Sequence, residues 1–338
     1  MNIAILGAGS WAIALSVLLH KRSHTVTMWE FNPSEAEMLA RTRELTKKLP
    51  GIMVPPEVLV TSDIAEAVAN ATVVVCAVPS QTMRSTMKHL KASVPQSRLD
   101  AITAFVIVAK GIETNTLKLM SDVLLEEVSG LDINRIVVLS GPSHAEEVSR
   151  SVPTTVVAAA ENLALAQTIQ EAFMTESFRV YTNPDIRGVE LSGSVKNVIA
   201  IAAGICDGLG FGDNTKGALL TRGIVEMMRL GRKLDAQPST FAGLAGIGDL
   251  ITTCISRHSR NRKMGELIAS GLTREQALAQ MTMVAEGVET TRSVYQLAQN
   301  LGIEMPITQE VYRTLFENKN ARAAARDLMS RESKPEWW

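Results

Sequence analysis

The chain has 338 residues, 46% hydrophobic and 20% charged, with 34 Lys and Arg against 35 Asp and Glu for a formal net charge of -1. A chain this long suits two domains rather than one core, and its composition excludes a disordered protein. The near-even charge argues against nucleic acid as a partner, while leaving room for a local basic pocket.

The first residues, MNIAILGAGS, read as a strand running into a glycine turn, not as a signal peptide. Further strands are predicted at 26–29, 72–78, 105–109, 136–139 and 154–158, after the first at 3–6. Helical patterns fall between them at 12–21, 33–45, 81–90 and 117–128. Strands that are apolar on both faces and alternate with helices imply βαβ units, hence a Rossmann-like doubly wound sheet of α/β class. After Asp185 the patterns are helical throughout, rich in Ala, Leu, Gly and Met. The expected division is therefore a dinucleotide-binding domain at 1–186 and an all-α substrate-binding, catalytic domain at 187–338. Asn183-Pro184-Asp185 supplies the turn and the helix start between them. The tail beyond Ser330 reads as peripheral, and its Trp337 and Trp338 have no evident place.

The turn Gly7-Ala8-Gly9-Ser10-Trp11-Ala12 has one physical task for each small residue. Gly7 permits the tight turn, Gly9 lets the backbone approach a pyrophosphate, and a small residue at 12 lets helix and strand pack closely. The helix that follows offers free N–H groups and the positive end of its dipole to phosphate. Glu30 ends the second strand, where an acid can accept hydrogen bonds from both hydroxyls of an adenosine ribose and repel a 2′-phosphate. The rival reading makes it a solvated strand-end residue. No Lys or Arg occurs within 31–33, so NAD is favoured and NADP left open.

Lys110, in Ala109-Lys110-Gly111, is placed at the carboxyl edge of the sheet, where open α/β folds bind ligands; the alternative is a snorkelling surface lysine. Gly141 and Ser143 take the equivalent place after the next strand. Lys196 is the lone charge on an apolar helical run extending to Ile205, which would strip its solvation and bring its pKa into a general-acid range. An ordinary lysine on an amphipathic helix is the competing interpretation. Asp249 follows a glycine-rich stretch, either as a helix cap or as a carboxylate orienting Lys196 or a substrate hydroxyl. Residues 256–263, Ser-Arg-His-Ser-Arg-Asn-Arg-Lys, form a dense basic cluster suited to a phosphate clamp or to a solvated face.

Cys76, Cys206 and Cys254 are widely spaced and show no metal-ligand pattern, so a reducing compartment and no metal are expected. No uninterrupted apolar run approaches the ~20 residues of a membrane span. A cytoplasmic protein without a membrane span is the expectation.

These motifs, in order and spacing, resemble the NAD(P)-dependent sn-glycerol-3-phosphate dehydrogenases. The resemblance runs through Gly7–Trp11, Val78-Pro79-Ser80, Ala109-Lys110-Gly111, Gly141-Pro142-Ser143, Gly193–Asn197, Gly246–Asp249, Arg260-Asn261 and Val284–Gly287, nearly the whole chain. It implies reversible reduction of dihydroxyacetone phosphate to sn-glycerol 3-phosphate, the backbone of glycerophospholipids, by a homodimer. Carried over by position, Lys196 is the proton donor, with Lys110 and Asp249 also catalytic. Substrate contacts are Lys110, Gly141, Ser143, Lys196, Asp249, Thr253, Ser259, Arg260 and Asn261. Cofactor contacts are Ser10, Trp11, Phe31, Lys110, Ala145, Arg260, Val284 and Glu286, beside Gly7, Gly9 and Glu30. Two departures stand out: Ala12 replaces a common third glycine, and Glu30-Phe31 stands where many bacterial members carry a basic residue. Two rivals remain: a related dehydrogenase of β-hydroxyacids, which would not need the Arg260 cluster, and a non-catalytic NAD sensor, which would not need Lys196, Asp249 and Arg260 together.

Overall fold

The computed structural model describes residues 1–336; Trp337 and Trp338, the tryptophans without an evident place, lie outside the described residues. Eight strands form one sheet: β1 (Asn2–Leu6), β2 (Thr25–Trp29), β3 (Leu59–Thr61), β4 (Val73–Cys76), β5 (Ala104–Ile107), β6 (Ile136–Ser140), β7 (Thr154–Ala159) and β8 (Phe178–Asn183). Their order is β3-β2-β1-β4-β5-β6-β7-β8, parallel from β3 to β6. β7 then runs antiparallel to β6, and β8 parallel to β7. Strands β4, β5 and β6 are buried at every residue, as strands apolar on both faces must be when helices cover the two sides of a sheet.

Two strands were not anticipated. β3 is only three residues long and pairs at the sheet edge, so it carries too little pattern to read. β8 does alternate, with Phe178 and Val180 inward and Arg179 and Tyr181 outward, a period of two that the sequence contained. The helix expected at 33–45 stops at Thr42, because Arg43 takes a left-handed conformation at φ 59° and returns its N–H to the Leu39 carbonyl.

Beyond the sheet the described residues are helical to Met329. Asp185 starts this part as expected, its carboxylate accepting the Gly188 N–H at 2.8 Å and capping the helix Ile186–Gly208. That helix has 23 residues and a mean hydropathy of 1.4 over its most apolar stretch, long and apolar enough to reach across a bilayer. The whole of that stretch is instead buried in protein, so its apolar character serves a core. The helices Asp213–Lys233, Asp249–Ile255, Arg260–Ala269 and Gly287–Leu301 surround it. Against Arg260–Ala269 the approach is backbone to backbone. A Cβ on Gly204 would fall on the Arg262 carbonyl, and one on Gly265 on the Ile201 carbonyl. This crossing brings Asn261 beside Asn197.

Candidate active site

The strand order reverses between β2-β1 and β4, opening a crevice at the carboxyl ends of the parallel strands. Gly7 leaves β1 there with φ 113°, its N–H donating to the Trp29 carbonyl at 2.8 Å. A Cβ at this position would also sit 2.8 Å from the Ala77 carbonyl oxygen, so only glycine fits. Gly9 caps the helix Ser10–Lys21 without a side-chain hydrogen bond, and a Cβ there would meet nothing within 4 Å. The helix N-terminus therefore faces open space. Ala12 is fully buried and fills the third small position.

The crevice continues into a cleft of about 840 Å³ between the sheet edge and the helical part. Gly7, Gly9, Ser10 and Trp11 line it from the first turn, Glu30 and Phe31 from the end of β2, Lys110 from beyond β5, and Ser143 and Ala145 from beyond β6. The helical part contributes Lys196, Asp249, Thr253, Ser259, Arg260, Asn261, Val284 and Glu286. Gly141 alone among the sequence-selected residues stays out of the lining. Packed against Val156, it offers its carbonyl to Lys110 Nζ at 3.1 Å, so it holds a neighbour instead of reaching into the cleft.

At the floor of the cleft three charges meet. Asp249 is 2% exposed and bridges two lysines: its Oδ2 accepts from Lys110 Nζ at 2.7 Å, and its Oδ1 from Lys196 Nζ. Lys196, 4% exposed, also donates to Thr253 Oγ1 at 2.6 Å. Asp249 is the first residue of the helix Asp249–Ile255, whose cap is Gly248, so of its two readings the orienting carboxylate holds and the cap does not. Burial pushes the Lys196 ammonium down; Asp249 pulls it back up and Lys110 opposes it again, leaving it at about 8. Burial alone would raise Asp249, but Lys110 and Lys196 outweigh it and hold the carboxyl low. An ammonium has three N–H donors. Two of those on Lys196 go to Asp249 and Thr253, and two of those on Lys110 to Gly141 and Asp249, so each keeps one for a ligand oxygen.

Ser259 caps the helix Arg260–Ala269, accepting the Arg262 N–H, and Arg260 stands exposed at that N-terminus with Nη1 3.3 Å from the Val284 carbonyl. Asn261 uses its amide to join helices: Nδ2 donates to Asn197 Oδ1 and Oδ1 accepts the Gly287 N–H, both at 2.9 Å. Glu286 Oε1 accepts the Ser80 N–H at 3.2 Å, while its buried Oε2 has no partner among the described residues. Burial raises its pKa.

Among the cleft residues that escaped the sequence reading, two bear on the chemistry of the cleft. His144 precedes Ala145; its Nε2 is buried without a partner among the described residues, and burial, followed by the charge of Lys196, lowers its pKa. The motif holding it was visible, but nothing local separated it from a turn residue. Lys48 lies against Glu30, with Nζ 3.2 Å from Oε2. Glu30 itself is 8% exposed, which rules out the solvated strand-end reading.

Comparison with known proteins matches both halves. The NAD-dependent glycerol-3-phosphate dehydrogenase N-terminus family covers residues 2–166, and the corresponding C-terminus family residues 185–326. The chain belongs to the NAD-dependent glycerol-3-phosphate dehydrogenase family. Among its glycerol-3-phosphate dehydrogenase [NAD(P)+] relatives, the protein of Chlorobium limicola is 52% identical over 99% of this chain and 99% of its own. That of Prosthecochloris aestuarii is 51% identical over 99% and 100%. The crystal structure of the Coxiella burnetii glycerol-3-phosphate dehydrogenase superposes with a TM-score of 0.92 at 34% identity, over 98% of this chain and 99% of that one. As in that family, an NAD(P)-binding Rossmann sheet precedes a helical domain.

Proposed function

We propose that the chain interconverts dihydroxyacetone phosphate and sn-glycerol 3-phosphate with NAD(H) or NADP(H), Lys196 exchanging the proton at the C2 oxygen. The supporting observation is the Lys110–Asp249–Lys196 cluster, buried at Asp249 and Lys196, on the floor of a cleft whose other end is the glycine turn after β1. The residues present fit a dinucleotide: open space faces the N–H groups after Gly9, and the unpartnered Glu286 Oε2 suits the amide donors of a nicotinamide carboxamide. Ser10, Trp11, Phe31, Ala145, Arg260 and Val284 would complete its contacts. Bound there, the reduced cofactor supplies the hydride to C2.

The chain's own groups do the rest. The free N–H groups of Lys196 and Lys110 meet the carbonyl oxygen, stabilise the charge that builds on it, and Lys196 delivers the proton. Asp249 and Thr253 keep the Lys196 ammonium pointed and charged. Arg260, Ser259 and the N-terminus of their helix receive the phosphate, with Ser143 and Asn261 bordering it. In oxidation the neutral Lys196 takes the proton back. We divide the chain at 186/187 into a cofactor-binding and a substrate-binding domain. We assign it to the cytoplasm, where its three free cysteines stay reduced, as a homodimer supplying glycerophospholipid synthesis.

The test is oxidation of NADH and NADPH with dihydroxyacetone phosphate and with unphosphorylated dihydroxyacetone, in the parent and in Arg260→Ala. The parent should prefer the phosphorylated substrate, and the variant should lose most of that preference through a raised KM. Equal turnover of both substrates by the parent would refute the reading.

A further inference from the structure

The adenosine end of the cleft carries a charge arrangement that changes the meaning of Glu30. Its Oε1 accepts the Asn32 N–H at 3.1 Å, and its Oε2 lies 3.2 Å from Lys48 Nζ. Lys48 arrives from the turn at 45–49, which closes through Lys48 N–H to the Leu45 carbonyl at 2.8 Å and is anchored by buried Leu45 and Leu49. The same ammonium lies 2.7 Å from Glu35 Oε2, in the first turn of the helix Pro33–Thr42. Glu30, Phe31 and Lys48 all line the cleft, and the Lys48 side chain keeps 26% of its surface exposed.

A bare buried carboxylate at this point would repel a 2′-phosphate. Here the repulsion is offset by a cation in contact with it, on a flexible four-carbon stem with three donors. We propose that Lys48 is the residue that decides how the adenosine 2′ position is received: paired with Glu30 it leaves that carboxylate to a ribose diol, and turned to a 2′-phosphate it admits NADP(H). Glu35 is the second anchor that holds the ammonium at the site in either position. This deepens the proposed cofactor use and rests on the reading that the cleft holds a nicotinamide dinucleotide.

Equilibrium binding of NADH and NADPH, followed by nicotinamide fluorescence without substrate, tests it in the parent, Lys48→Met, Lys48→Arg and Glu30→Gln. The parent should bind the two within about tenfold of each other, because Lys48 offsets Glu30 at the 2′ position and Glu35, 40% exposed, adds only a solvent-screened charge. Lys48→Met should weaken NADPH by about 10- to 100-fold and NADH far less. Lys48→Arg should retain NADPH, and Glu30→Gln should shift the ratio toward it. A Lys48→Met ratio equal to the parent's, or a parent that binds NADH and rejects NADPH, overturns the role of Lys48 while the proposed function stands. A parent that binds neither dinucleotide overturns both.

Discussion

At buried Lys196 the cost of desolvating an ammonium, increased by the charge of Lys110, is set against the Asp249 carboxylate, and the balance leaves its pKa at about 8. Reduction needs the protonated form, so its turnover should fall as pH rises through about 8; oxidation needs the neutral form and should rise over the same range. Lys196→Met should lower turnover by roughly 10²–10⁴-fold and abolish the inflection in both directions. Persistence of that inflection in a folded variant would move the titrating group elsewhere. Lys196 and Asp249 were legible because a single charge in an apolar helix, or after a run of glycines, is a local anomaly. Lys48 was not: it lies 18 residues from Glu30, in a turn whose closure depends on burying Leu45 and Leu49.

Among the elements, the crossing of Ile186–Gly208 with Arg260–Ala269 does most to place the site. Gly204 and Gly265 let the two backbones touch, and Asn261 then reaches Asn197 at 2.9 Å. Gly265→Ala should force the helices apart, destabilise the protein by roughly 1–3 kcal/mol and raise the KM for the phosphorylated substrate. Gly217, on the helix Asp213–Lys233, has nothing within 4 Å of a Cβ. Gly217→Ala should stabilise by about 0.4–1 kcal/mol. Urea unfolding of the two variants separates the effects, and a Gly265→Ala as benign as Gly217→Ala would remove the crossing from the account. The first of these helices was readable from its apolar run, whereas 256–263 read only as a basic cluster; which glycines meet across the crossing was not readable, because a sequence gives no interhelical distance.

For the whole molecule, the cleft belongs to neither half alone. Asp249, from the helical part, bridges Lys110 of the sheet edge to Lys196. Glu190, six residues before Lys196 on the same helix, accepts the Ser121 N–H at 2.9 Å and its hydroxyl at 2.5 Å, and Ser293 Oγ donates to the Ile112 carbonyl at 3.0 Å. A dinucleotide spanning these parts should stabilise them together. At about 100 times its Kd, NADH should add roughly 2.7 kcal/mol and raise one cooperative melting transition by a few degrees. Two calorimetric transitions, with only the lower one responding, would show that the halves melt independently.

By itself the sequence determined the sheet of alternating strands and helices, the glycine turn at its first strand, the change to all-helical structure at Asp185, and the chemical types at 110, 196, 249 and 260. Each is written in local period, in glycine placement, or in a charge out of keeping with its neighbours. Only the tertiary structure decided that Asp249 serves two lysines at once, that Gly141 holds Lys110 from outside the cleft, and that Glu30 is paired with Lys48. Lys110 and Asp249 are 139 residues apart in sequence. Contacts of that range follow from which surfaces pack together and how far a side chain reaches, and neither leaves a local trace in the residues concerned.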